Sequence, residues 1–300
     1  MSKTRPSQVL CWRGLYVNVA IVDIKMAPPP FADNRAESSA QDYRQSYLAY
    51  VDILGWKNIV DQIGSDFDRF DAIIGAFNAL RTHEGQDEFA RTLGKDAPVN
   101  LPPPHHFVAS DTIILSTSDT ADALSALILR CGKLCADLLG RGFLTRGAVI
   151  RGRLYHKGQV IFGEALTNAY LTERRSTRYP RVVISEQAYS QLLTTGPLKG
   201  PWAEATYSNM FRRDQDGFWR LNPFANLFIP DRGSMADYLH DAAATIVRTL
   251  SEFFPGSEEF AKAHWLAEVF NAEHARIAAD PAHNIQDIKP IDITSLRGRA

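Results

Sequence analysis

Ser46-Tyr-Leu-Ala-Tyr-Val-Asp-Ile-Leu-Gly-Trp56 is the stretch whose reading decides the fold. From Ser46 to Leu54 bulky and small residues alternate, which puts Tyr50 and Asp52 on one face of a strand and Val51 and Ile53 on the other. The strand carries a carboxylate near its end. Downstream, Trp56 to Leu80 repeats apolar residues at Ile59, Ile63, Phe67, Phe70, Ile74 and Phe77, a spacing of three or four that predicts one amphipathic helix or a broken pair packed on a sheet. Gly85 to Pro104, with Gly94, Pro98 and the triple proline Pro102-Pro-Pro104, has turn composition and no period, so a loop or insertion is expected there.

Phe107 to Ser116 then reads as two short strands that meet at Ser110-Asp111, which would put Asp111 at the hairpin tip. Ser118-Asp119-Thr120 offers caps for a helix whose stripe runs Leu124, Leu127, Cys131, Leu134 and Leu138 before Gly140 and Gly142 stop it. Leu144 to Ile150 and Gln159 to Phe162 read as strands, Gly163 to Glu173 as a helix, and Arg181 to Ile184 as a strand before another short helix. The order strand, helix, two strands, helix, two strands, helix, strand predicts an α+β sandwich of the ferredoxin-like kind, an antiparallel-centred sheet with helices on one face. A polar hairpin at Phe211 to Arg220 and helices over Met235 to Phe254 and Glu258 to Ala278 follow. The chain thus divides into a leader (1–44), a core (45–195) and a C-terminal hairpin and helical extension (196–300), packed on the core or on a partner.

Composition narrows the function. With 300 residues, 45% hydrophobic and 22% charged, the chain can bury a substantial core. A formal net charge of -1 argues against nucleic acid as the main partner, because such domains carry a basic excess. Only three cysteines occur, and Cys131 and Cys135 lie one helical turn apart in an apolar stretch, as small core residues do. The run Tyr16 to Val22 is interrupted by Asn18 and too short for a membrane span, and no signal-cleavage pattern follows it. The expected compartment is reducing and cytoplasmic. His105-His106 has no Cys or His partner at metal spacing and reads as a loop pair.

Two carboxylates at strand ends, Asp52 and Asp111, converge if their strands are neighbours, and paired carboxylates suit magnesium or manganese bound together with substrate phosphates. An aspartate that caps a turn is the ordinary reading of either one alone. In combination with other segments the pattern is more telling. Tyr50-Val-Asp-Ile-Leu-Gly-Trp56 resembles the first metal-binding segment of the class III adenylate and guanylate cyclases, and Ser110-Asp111 falls where that family places its second metal aspartate. Thr145-Arg-Gly-Ala-Val-Ile-Arg-Gly152 is similar to the family's following strand, and Phe162-Gly-Glu-Ala-Leu-Thr-Asn-Ala-Tyr-Leu171 to the glycine-then-helix segment after it. The four segments stand in the family's order over Tyr50 to about Ser185.

The resemblance implies a nucleotide cyclase working as a homodimer with two Mn2+ or Mg2+ ions. Asp52, Asp111 and the Ile53 carbonyl would hold the metals. The backbone of Leu54, Gly55, Trp56, Lys57 and Asn58 would cradle the triphosphate at a helix mouth. Where the family has an Asn and an Arg that orient the ribose and stabilise the transition state, this chain has Thr167 and Leu171. Arg174, Arg175 and Arg178 follow within two turns and are the substitutes expected, with Arg146 and Arg151 as further candidates. Phe107 stands where adenylate cyclases keep an adenine-reading lysine, and Tyr50 would fill the base pocket. Together these features resemble the divergent bacterial cyclases that make cyclic UMP or cyclic CMP in antiphage signalling. The resemblance leaves two other readings open: a catalytically inactive, cyclase-like nucleotide-binding signalling domain, and a palm-type polymerase or oligonucleotide synthetase, against which the near-neutral charge argues.

Overall fold

The computed structural model describes residues 42–63, 67–79, 104–176, 178–196, 201–229, 234–280 and 285–294. The expected leader up to residue 41, and the loop expected over Gly85 to Pro104 except for Pro104 itself, lie outside these residues. β1 (Arg44–Ile53) is an interior strand of the sheet. It pairs antiparallel with β3 (Thr112–Ser118) on one side and with β4 (Thr145–Lys157) on the other, while β2 (His105–Ala109) pairs antiparallel with β3.

The resulting order β2-β3-β1-β4 interleaves two split β-α-β units, which is the ferredoxin-like arrangement. In the first, α1 (Trp56–Ile63) and α2 (Phe67–Ala79) lie between β1 and β2; in the second, α3 (Ala121–Gly140) lies between β3 and β4. β5 (Val160–Gly163) folds back on β4, α4 (Glu164–Ser176) follows, and β6 (Val182–Ile184) runs parallel to β4. Close approach within the sheet explains one glycine of the Thr145 to Gly152 run. A Cβ on Gly147 would stand 2.1 Å from the Tyr50 carbonyl oxygen.

The expected hairpin forms as β7 (Phe211–Arg213) and β8 (Trp219–Leu221), which extend the sheet beyond β6. α5 (Glu186–Thr195) precedes it, and so does α6 (Pro201–Met210), a helix not anticipated in the sequence although its leading proline suits the first helical position. α7 (Met235–Glu252) starts in a capping box between Ser234 and Asp237, and α8 (Glu258–Ala278) is capped by Ser257. No helix among the described residues is long and apolar enough to cross a membrane.

The strand alternation sorts side chains as expected. Tyr47, Ala49, Val51 and Ile53 enter the large core, together with the stripe of α3 and residues of α5, α7 and α8. Leu48 and Tyr50 enter a second, small cluster with Ile114, Leu154, Ala165 and Ala169. Two expectations are corrected here. Helices cover both faces, because α4 lies over the small cluster, its Ala165 and Ala169 packed on Leu48 and Tyr50. The apolar stripe from Ile59 to Phe77 does not run through either: Phe67, Phe70 and Ile74 are exposed, and α2 turns Ile73 and Ala76 inward instead. α1 and α2 are separate elements, and the face that α2 turns inward is its own.

Candidate active site

Asp52 sits one residue from the end of β1, opposite Thr112 on β3 and Arg146 on β4. Asp111 occupies the β2–β3 turn with Ser110, whose φ of 58° is the left-handed value a tight turn demands of it. The Ile53 amide donates to the Asp111 carbonyl at 2.9 Å, which pins that turn to the end of β1. β1 and β3 are neighbours, the condition for the two aspartates to converge, and Asp111 lies near enough for its charge to act on Asp52. β1 ends where Gly55 takes a φ of 73°, and α1 begins at Trp56, its first amides free of partners within the helix.

The charges around Asp52 come from three elements. The Arg146 Nε donates to Asp52 Oδ2 at 3.1 Å, and the same nitrogen lies 2.5 Å from Oε1 of Glu173 on α4. Nε carries one proton, directed at Asp52, so the Glu173 contact is an ion pair. Glu173 is 2% exposed, and burial pushes its pKa up, opposed by the Arg146 charge and reinforced by Asp52. Burial also raises Asp52; Arg146 counters this, and the neighbouring Asp111 charge adds to it. Two carboxylates that repel one another while one of them is held by a guanidinium form a place where added positive charge is favourable.

That donor set fits a small divalent cation. Magnesium and manganese take oxygen ligands and need only one or two protein carboxylates when phosphates complete the shell. Among the described residues no cluster of three or more His, Cys, Asp or Glu side chains makes a ready metal cage. Asp52, Asp111 and the Ile53 carbonyl are the oxygens at hand, and such an ion would depend on its substrate for the rest.

The remaining expected residues divide. Leu54, Gly55 and Asn58 line a groove of about 410 Å³ that Arg248, Glu252, Glu259 and Lys262 of the C-terminal helices also line. Trp56 is half-buried against the large core, and Lys57 is exposed. Phe107 is half-buried against the small cluster. Tyr50 is buried, its hydroxyl 3.3 Å from the Thr112 hydroxyl and its ring edge-on to Tyr170. Burial raises its pKa, so the hydroxyl stays protonated.

On α4, Thr167 Oγ1 donates to the Gly163 carbonyl at the end of β5 at 3.3 Å. Arg174 is exposed and donates to the Tyr170 hydroxyl at 2.9 Å, and Arg178, also exposed, lies over the Tyr179 ring. Neither is paired with Asp52. Arg151 points to the other face, where it donates through Nε to Asp119 at 2.7 Å beside buried Tyr47, whose pKa is pushed up to about 12, chiefly by burial. Of the arginines considered in the sequence, Arg146 is the one bonded to Asp52. Glu173 was not singled out, yet it was legible. Ala165, Ala169 and Glu173 recur at i, i+4, i+8, and a carboxylate in a buried stripe needs a partner.

No protein-family model matches the chain, and no curated protein matches it either. Among solved structures it is similar to the catalytic core of a rhodopsin-guanylyl cyclase with converted specificity, crystallised in complex with ATPαS. The match has 12% identity and a TM-score of 0.35, over 59% of this chain and 96% of that one. At this distance the strand order β2-β3-β1-β4, rather than the match, defines the fold of this chain as ferredoxin-like α+β.

Proposed function

We propose that the chain is a nucleotide cyclase that closes a nucleoside triphosphate, UTP ahead of the others, into the 3′,5′-cyclic monophosphate. The observation that carries this reading is the meeting of Asp52 and Asp111 beside the turn that opens α1. In the reaction the ribose 3′-oxygen loses its proton and bonds to the α-phosphorus, while the bond from that phosphorus to the bridging oxygen breaks and pyrophosphate leaves. Two Mn2+ or Mg2+ ions held by Asp52, Asp111 and the Ile53 carbonyl would activate the hydroxyl and neutralise the leaving group.

The chain's own residues do the positioning. Amides of residues 55 to 58 face the triphosphate at the positive end of α1, while the Leu54 amide donates to the Leu144 carbonyl, and Arg146 adds a fixed cation next to Asp52. Phe107 offers the base a carbon wall in place of a donor, and the Tyr50 ring backs it. Arg174, exposed near the end of α4, and Arg178, exposed beyond it, are offered to the site of a second copy in a homodimer. The product would act as a second messenger in antiphage defence.

The test is incubation of the purified protein with each of the four ribonucleoside triphosphates and Mn2+, with products identified by mass spectrometry. Cyclic UMP as the main product is expected; no cyclic nucleotide from any of the four sinks the proposal. One observation favours a second reading, a nucleotide-binding domain without turnover. Thr167 bonds the Gly163 carbonyl and Leu171 carries no charge, so the two positions where the family keeps Asn and Arg supply nothing to the ribose within one chain. Nucleotide binding by calorimetry without product would establish that reading.

A further inference from the structure

The buried carboxylate of Glu173 is the least expected group at this site. It stands 2.5 Å from the nitrogen that Arg146 gives to Asp52, so one guanidinium serves two carboxylates on separate elements. Burying a carboxylate beside a second one is unfavourable unless a cation joins them. Asp111 adds a third negative charge near Asp52. The guanidinium is thus already where a metal ion would compete for Asp52, and Glu173 is the other place it can go.

We infer that Glu173 is a positioning residue: it holds the Arg146 guanidinium, and so sets how easily Asp52 is released to a divalent cation. This rests on the proposed metal-binding role of Asp52. When Asp52 turns to a cation, Arg146 loses a partner but keeps Glu173, and remains in the site facing the phosphates. Without the Glu173 charge Asp52 is, among the described residues, the one carboxylate left in contact with Arg146, and the cation must break that pair outright. The role differs from general electrostatic attraction, because it acts through Arg146 and vanishes with it.

Mn2+ binding to the nucleotide-free protein, followed by the electron paramagnetic resonance signal of the free ion, tests this without reference to turnover. Glu173→Gln should weaken binding about tenfold, in the range that changes behind a metal ligand bring, and Glu173→Asp should recover most of it. Arg146→Gln should tighten binding several-fold, since the competitor is gone. In the Arg146→Gln background, Glu173→Gln should change binding by less than about threefold, a non-additive cycle.

Equal losses in both backgrounds, or no loss on Glu173→Gln alone, overturn the inference. If Glu173→Gln does not fold, the Arg146→Gln titration decides, and unchanged or weaker Mn2+ binding there overturns it too. Asp52→Asn separates the two levels of the argument. If it binds Mn2+ as the parent does, the metal assignment and this role both fall; if it loses binding while the cycle is additive, only the role of Glu173 falls.

Discussion

The two faces of the sheet are built on opposite principles. On one, α3, α5 and the C-terminal helices bury a continuous apolar core around Tyr47, Val51, Phe224, Phe228 and Phe270, all at most 1% exposed. On the other, a single helix packs Ala165 and Ala169 on four buried strand residues, and one end carries Asp52, Arg146 and Glu173. Carboxylates crowded together and partly desolvated oppose folding, so that end depends on stability generated elsewhere. The thick face supplies it, and the thin face is left open to ligands.

The charged end should be indispensable to turnover and dispensable to folding. Asp52→Asn or Asp111→Asn should lower Mn2+-dependent product formation by more than the ~100-fold that a change behind a metal ligand can cause. The melting temperature should hold or rise, because each change removes a charge from a repelling group. Turnover near the parent level in either variant, measured by product mass, would remove these residues from the site.

On the thick face the expected effect has the opposite character. Phe228 is fully buried, and its ring would lie 2.4 Å from a Cβ on Gly132 of α3. Phe228→Ala should cost about 3–5 kcal/mol in denaturant unfolding, while turnover per folded molecule stays near the parent value. A loss of activity without a loss of stability would mean that the two faces are coupled more tightly than their separate cores imply.

Base choice should be a smaller effect, set on the thin face alone. With Phe107 against the small cluster, a purine edge that needs a donor meets carbon, a deficit of about 1–3 kcal/mol, or roughly ten- to hundredfold. UTP should therefore outrun ATP and GTP when all four compete, and Phe107→Lys should narrow the gap. Equal use of ATP by the parent protein would sink the pyrimidine assignment and leave the cyclase proposal standing.

Local pattern made much of this legible. The alternation in β1, the cap at Thr120 and the period of α3 act within a few residues, so the elements they define can be read directly, and α8 runs from Glu258 to Ala278 as its spacing requires. The failures are all non-local. Phe70 and Ile74 fit a helical stripe, but α2 turns Ile73 and Ala76 inward and leaves them in solvent. Arg174 and Arg178 lie near the family-like segment along the chain, whereas Arg146 reaches Asp52 only because strand pairing sets the two opposite each other. Glu173 needed both a helix phase and that pairing before its partner could be named.

The smallest expected effect is a pH dependence at the far end of the thin face. His156 on β4 is half-buried, with Nδ1 2.6 Å from the Ser116 hydroxyl and its ring 5.6 Å from that of His105. Burial is the main cause of its lowered pKa, and the nearby His105 and His106 charges push the same way. A base with a depressed pKa in the folded state binds fewer protons there than in the unfolded chain, so stability rises with pH. Its contribution should be fully present above about 6.5, the ordinary imidazole value, and be lost as pH falls from there through the lower folded value. The melting temperature should thus be level from pH 8 to 7 and decline toward pH 5. His156→Asn, which keeps an amide near the Ser116 hydroxyl but cannot titrate, should flatten that decline by a modest amount. An identical pH slope in parent and variant would mean that His156 stays neutral without cost, and that the thin face tolerates acid as well as the thick one does.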